Sequence, residues 1–257
     1  AARLAEAKAL SAVAPAGALA LSLGACNRDG GEDTASTGTA GGGGGETLTL
    51  AVSTLNNPFF ISLRDGAQAA ADEAGAELEV VDAQNDAATQ QNQLANAATQ
   101  QVDAVLINPV DSEAAAAAVT PVQDADIPVI AVDRSVEGKE VNSTVSSDNV
   151  AGGRQAADAL AEAMGGEGKV IVLQGVAGTS ASRDRGQGFE EGIAEYPDIE
   201  VVAKQPANFD RAQGLDVATN LLESNPDVTG IFAENDEMAL GALQALGDRA
   251  GEDVFVV

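Results

Sequence analysis

The chain has 257 residues, with 13 Lys+Arg against 40 Asp+Glu, no His and a formal charge of −27 at pH 7. At roughly 150 residues per domain this length predicts about two domains, and 45% hydrophobic residues suffice for a buried core, which excludes wholesale disorder and a multi-span membrane protein. The acidic excess repels phosphate backbones and so argues against nucleic-acid binding, although the same acidity is also what adaptation of a whole proteome to high salt produces, in which case it says nothing about partners; zero His with one Cys removes Ser-His-Asp and Cys-His triads, the usual zinc sites and any intrachain disulfide.

The chain opens with Arg3 and Lys8 ahead of an apolar run over 9–25, too short and too rich in Ala, Gly and Pro15 to span a bilayer. Residues 1–25 therefore read as an export signal peptide that lacks its first residues, since no Met begins it. The run ends Leu23-Gly24-Ala25-Cys26, small residues before the only cysteine, which resembles the lipobox of bacterial lipoproteins. Lipidation of Cys26 is expected; each buried methylene contributes about 0.8 kcal/mol, enough to tether a soluble body to a membrane surface. Residues 26–46 read as the lipidated Cys and a flexible linker, since 27–45 are mostly Gly, Ser, Thr and acid and end in five consecutive glycines.

From residue 47 the chain alternates strand and helix. Leu48, Leu50 and Val52 open a strand, and a helical stretch over 60–74 follows. Strand-like runs recur at 78–81, 104–107, 129–132, 170–173, 201–202, 230–233 and 254–257, with helix-like segments between them. Continuous apolar strands between helices mean parallel sheets covered on both faces. The expected fold is α/β, two-lobed and doubly wound, with an N-terminal lobe over 47–147 and a C-terminal lobe over 148–257.

In such sheets a ligand sits beyond the carboxyl ends of the strands. The residues there are Asn57, Phe59 and Phe60 after the first strand, Asn108-Pro109 after the third, and Asp133-Arg134 after the fourth. A glycine-rich loop over 174–180 follows the strand at 170–173, with Arg183, Asp184 and Arg185 in the first turns of the next helix, and Glu234-Asn235-Asp236 comes near the end. Amides, a carboxylate and guanidinia beside aromatic rings suit a ligand with many hydroxyls, each of which donates to Asp while accepting from Arg or Asn. Aromatic faces pack on the C–H patches of a pyranose. Each residue also has a bland reading: Asn57-Pro58 as a helix start with Phe59 and Phe60 in the core, Asn108-Pro109 as a turn, Asp133-Arg134 as a surface pair, and Asp148-Asn149 as helix caps. The glycine loop fits neither G-x-G-x-x-G with an acidic ribose partner nor G-x-x-x-x-G-K-[ST], so no cofactor is expected.

Over 47–257 the chain resembles the periplasmic ribose-binding proteins of ABC importers. The resemblance rests on STLNNPFF at 53–60, Asn108-Pro109, Asp133-Arg134, Ser147-Asp148-Asn149, LQGVAGTS at 173–180, RGQGF at 185–189, QPANFDR at 205–211 and ENDEMALGAL at 234–243. It implies that Asn57, Asn108, Asp133, Arg134, Arg185 and Asn235 hydrogen-bond a sugar, that Phe59, Phe60 and Phe209 sandwich its ring, and that closure about a hinge buries it. In members of that family the strand matching 254–257 runs on to a further ligand-binding aspartate and two more hinge crossings, so the last elements of both lobes are expected to be missing here.

The resemblance further implies a non-enzymatic receptor and a monomer, and the export signal with the lipobox at Cys26 adds the expectation that it is exported and held by a lipid anchor at the outer face of the cytoplasmic membrane or in the periplasm. Its partners are a monosaccharide, D-ribose first, an ABC permease and in some members a chemotaxis receptor; it implies no nucleic acid. Allose, xylose, galactose or a furanosyl signal are alternative ligands. A LacI-type regulator core shares the fold but needs a DNA-binding N-terminus and a basic face, which this chain does not offer.

Overall fold

The computed structural model describes residues 45–257. The export signal, the Cys26 lipidation site and the linker up to residue 44 lie outside the described residues.

Two parallel sheets organise the rest. The first half contains β1 (Thr47–Val52), α1 (Pro58–Ala74), β2 (Glu77–Asp82), α2 (Ala87–Gln100), β3 (Ala104–Ile107), α3 (Ala115–Asp124), β4 (Val129–Val132) and β5 (Ser143–Val145). The second contains α4 (Asn149–Met164), β6 (Gly168–Gln174), α5 (Ser180–Ile193), β7 (Ile199–Pro206), α6 (Arg211–Ser224), β8 (Gly230–Ala233), α7 (Asp236–Leu246) and β9 (Phe255–Val256). Strand orders are β2-β1-β3-β4-β5 and β7-β6-β8-β9, with every pairing parallel. The order reverses at β1 and at β6, so each sheet has a switch point at which neighbouring loops splay apart and leave a crevice.

Helix starts are set locally by side chains that accept from orphan N–H groups: Asn57 for α1, Asp86 for α2, Asp148 for α4, Thr179 for α5, Asp210 for α6 and Asn235 for α7. Gly75 and Gly165 close α1 and α4 in the left-handed conformation.

The second sheet shows why its strands are apolar throughout. Ile171, Leu173, Ile231 and Ala233 face α6 and α7, whereas Val170, Val172 and Phe232 face α4 and α5. On the latter side Phe189 stacks on Phe232 with centroids 4.0 Å apart. The crossing of α4 and α5 is so close that a Cβ on Gly188 would lie 2.0 Å from the Val150 carbonyl oxygen. That approach brings the first turn of α4 beside Arg185 on α5. In the first half Leu94, Val105, Ile107, Val119, Val122 and Val129 fill the space between the sheet, α2 and α3. Among the described residues no helix is long and apolar enough to cross a membrane.

Candidate functional site

The carboxyl ends of both sheets face a common cleft of about 630 Å³. Eight of the nine residues expected to touch a ligand line it: Asn57, Phe59, Phe60, Asp133, Arg134, Arg185, Phe209 and Asn235. The ninth, Asn108, is fully buried one layer behind. Its Oδ1 accepts from Ser53 N–H at 3.2 Å, and its Nδ2 donates to the Val132 carbonyl at 3.2 Å and to Asp133 Oδ2 at 3.1 Å. Both amide protons are thereby engaged, and in this conformation Asn108 holds the Asp133 carboxylate from behind.

The first half supplies a buried charge pair. Arg134 follows β4, is only 3% exposed, donates from Nη1 to the Pro109 carbonyl at 2.8 Å, and places Nε 3.7 Å from Asp133 Oδ2. Surface-pair character is thus replaced by a desolvated one. Burial pushes the Asp133 carboxyl up against the opposing pull of Arg134, Arg185 and Asn108, and burial lowers the Arg134 guanidinium to about 10, so it still carries its proton at neutral pH. Arg134 Nε is buried without a hydrogen-bond partner among the described residues. Unmatched donors of this kind cost about 1–3 kcal/mol, and binding sites are where they are tolerated.

The second half supplies Arg185, Phe209 and Asn235. Arg185 Nε donates to Asn149 Oδ1 at 2.9 Å and its Nη1 to the Glu234 carbonyl at 2.7 Å, which leaves the Nη2 end of the fork for a ligand. Asp148 is a helix cap as expected, but Asn149 belongs to the site by fixing Arg185. Phe209 and its neighbour Asn208 both have left-handed backbones, with φ of +59° and +55°, a conformation that non-glycine residues adopt at a cost. The Phe209 ring packs so tightly on Gly175 that a Cβ there would lie 2.1 Å from its Cζ. Guanidinium carbons of Arg134 and Arg185 stand 5.7 and 5.9 Å from the ring centroid, and Arg134 is also 5.4 Å from the Phe60 ring. An aromatic from each half therefore flanks the Arg134 head.

Phe59 and Phe60 divide their work. Phe60 is 4% exposed, whereas Phe59 is 53% exposed and sits edge-on to it at 5.2 Å between centroids. The two asparagines converge: Asn57 Nδ2 and Asn235 Nδ2 each donate to the Phe209 carbonyl at 3.3 Å while their Oδ1 atoms cap α1 and α7. Further bonds join the halves beside the cleft. Ser112 N–H donates to the Gly178 carbonyl at 2.9 Å, Ser180 N–H to Ser112 Oγ at 3.0 Å, and Ser135 N–H to Ser180 Oγ at 2.9 Å. Glu234 stands at a strand end but is not among the expected contacts, and Asn149 and Ser112 are contributors to which strand ends alone do not point. Among the described residues no His, Cys, Asp or Glu cluster is placed to hold a metal.

Two parallel sheets whose carboxyl ends meet across a polar, aromatic-rimmed cleft define a two-lobed α/β solute receptor. The chain belongs to the family of periplasmic binding protein domains, whose pattern matches residues 48–257. It is 50% identical over 212 residues to the ribose import binding protein RbsB of Escherichia coli (strain K12), covering 82% of this chain and 71% of that protein. It is 34% identical over 250 residues to a xylitol-binding protein of Mycolicibacterium smegmatis, covering 96% of this chain and 69% of that one. Among solved structures, an ABC transporter periplasmic solute-binding protein from Actinobacillus succinogenes 130z with bound D-allose superposes with a TM-score of 0.76 at 37% identity, covering 82% and 76% of the two chains.

Proposed function

We propose that this protein is the sugar-binding subunit of an ABC importer and that it captures one monosaccharide, D-ribose in the first place, between two lobes formed by residues 47–147 and 148–257. The observation that carries the reading is the meeting of Asp133 and Arg134 from one half with Arg185 and Asn235 from the other, beside Phe60 and Phe209. A sugar hydroxyl donates to the Asp133 carboxylate while accepting from a guanidinium or amide, so each residue needs only one ligand oxygen to complete it. Ring faces of Phe60 and Phe209 cover the C–H surface of the sugar. Contacts from both halves favour the closed arrangement, because only there are all of them made at once. Half-identity to a ribose import binding protein over all but the outer segment supports ribose over other pentoses.

The rest of the proposal joins this assignment to the export signal and the lipobox at Cys26 read in the sequence. The protein acts by capture and delivery to a membrane permease without chemical conversion of the sugar. It is exported, held by a lipidated Cys26 and otherwise monomeric, and a chemotaxis receptor is a further candidate partner.

A second reading has specific support: the xylitol-binding relative and the D-allose-bound neighbour place other polyols in this family. Thermal unfolding of the full chain with saturating pentoses, hexoses and pentitols separates the two. A ligand present at 100 times its dissociation constant adds about 2.7 kcal/mol, or several degrees in midpoint. A shift with D-ribose and none with xylitol supports the first reading, the reverse supports the second, and a midpoint moved by none of them refutes both.

A further inference from the structure

One buried carboxylate near the cleft has no part in the ligand contacts assigned above. Glu234 follows β8, is 2% exposed, and is engaged at both ends. Its Oε2 accepts from the Gly175 N–H at 2.6 Å and from the Ser182 hydroxyl. Its main-chain carbonyl accepts from Arg185 Nη1 at 2.7 Å. Ser182 lies three residues before Arg185 on α5, hence on the same face one turn earlier. The side chain of Glu234 thus holds the start of the helix whose arginine its main chain holds. The next residue, Asn235, caps α7. A carboxylate taken out of water is costly even when fully hydrogen-bonded, and apolar packing stabilises such a place as well or better. Placing an ion there gains geometry.

We propose that Glu234 is a positioning residue for sugar capture, which fixes Arg185 by clamping the Gly175 loop and the first turn of α5 to the end of β8. The proposal rests on the assignment of Arg185 as a sugar contact, but its first test does not need a sugar.

The full chain is compared as wild type, Glu234→Gln, Glu234→Ala, Ser182→Ala, Arg185→Ala and the Glu234→Ala/Arg185→Ala double variant. The side-chain Nε–H resonance of Arg185, identified by its loss in Arg185→Ala, should be resolved and slow to exchange in the wild type and in Glu234→Gln, whose amide oxygen still accepts from both donors. It should be averaged or lost in Glu234→Ala, and an unchanged resonance there overturns the proposal. D-ribose affinity should fall about tenfold in Glu234→Ala, stay within about threefold in Glu234→Gln, and be no weaker in the double variant than in Arg185→Ala. Additive losses would mean that Glu234 acts apart from Arg185 and would also overturn it. Should Glu234→Ala fail to fold, Ser182→Ala decides: a displaced Arg185 resonance supports the clamp and an unmoved one refutes it. A wild type that binds no sugar defeats the functional reading while the Arg185 resonance still judges this inference.

Discussion

The side-chain amide of Asn57 donates to the main-chain carbonyl of Phe209 at 3.3 Å, across the cleft and 152 positions along the chain. The same Asn57 accepts from Phe59 N–H at 2.9 Å and so caps α1. One residue therefore performs a local task with its oxygen and a cross-cleft task with its nitrogen. Asn57→Asp separates them, because a carboxylate caps as well as an amide but cannot donate. We expect Asn57→Asp to melt within about 0.5 kcal/mol of wild type while binding sugar at least about tenfold more weakly. Asn57→Ala should lose the sugar and about 1 kcal/mol of stability as well. Thermal unfolding and calorimetric titration of the two variants check this.

Arg134 is held by the Pro109 carbonyl, the Asp133 carboxylate and two aromatic rings. Lysine keeps the charge but not the planar fork, and it is no substitute at a stacked site. Arg134→Lys should fold, melt about 1–3 kcal/mol below wild type and bind sugar at least about tenfold more weakly. Wild-type affinity in this variant would remove Arg134 from the site.

Burial raises the Glu234 carboxyl against the pull of Ser182, Gly175 and Arg185, with Glu190 adding to the rise. The folded protein then holds this proton to a higher pH than the unfolded chain does. Its contribution to stability is fully present below the unfolded value and is lost as pH rises through the folded one. Glutamine does not titrate. Glu234→Gln should therefore melt higher than wild type at pH 7, with the gap closing as pH falls toward the ordinary carboxyl value of 4.5. A gap that does not depend on pH contradicts the assignment of the raised group to Glu234.

Ser112 is fully buried, and it both donates to the Gly178 carbonyl and accepts from Ser180 N–H, so it ties the two halves beside the cleft. Ser112→Ala removes the acceptor and leaves Ser180 N–H unmatched, at a cost of about 1–3 kcal/mol. Stopped-flow binding should show the loss mainly as faster sugar release, since contacts made after closure resist reopening.

Much of this was legible because parallel sheets covered on both faces force apolar strands, and because ligands collect where those strands end. Strands β1, β3, β4, β6 and β8 follow from the first rule, and the second points to Asn57, Phe59, Phe60, Asp133, Arg134, Arg185 and Asn235, which line the cleft, whereas Phe209 comes only with the family resemblance. What escaped did so for physical reasons. β5 (Ser143–Val145) is exposed at all three positions, so it carries no apolar run to detect. β7 runs over Ile199–Pro206, well beyond the predicted 201–202, because exposed Glu200 separates Ile199 from the apolar pair and the last three residues, Lys204 to Pro206, are exposed. Asn108 ends a strand as expected, yet its depth is set by the third dimension and places it behind Asp133. In sequence Asn149 looks like a cap residue, and Glu234 is one of several polar residues that follow a strand. Only the close crossing of α4 and α5, and the position of β8 beside β6, turn them toward Arg185.

Calorimetric titration of the full chain with D-ribose tests directly whether this cleft captures ribose. One site per chain is expected, tight enough to saturate at micromolar sugar, with a negative heat-capacity change as the aromatic faces are covered. Absence of heat up to millimolar D-ribose, with the protein folded, would contradict the claim that this cleft is built for ribose.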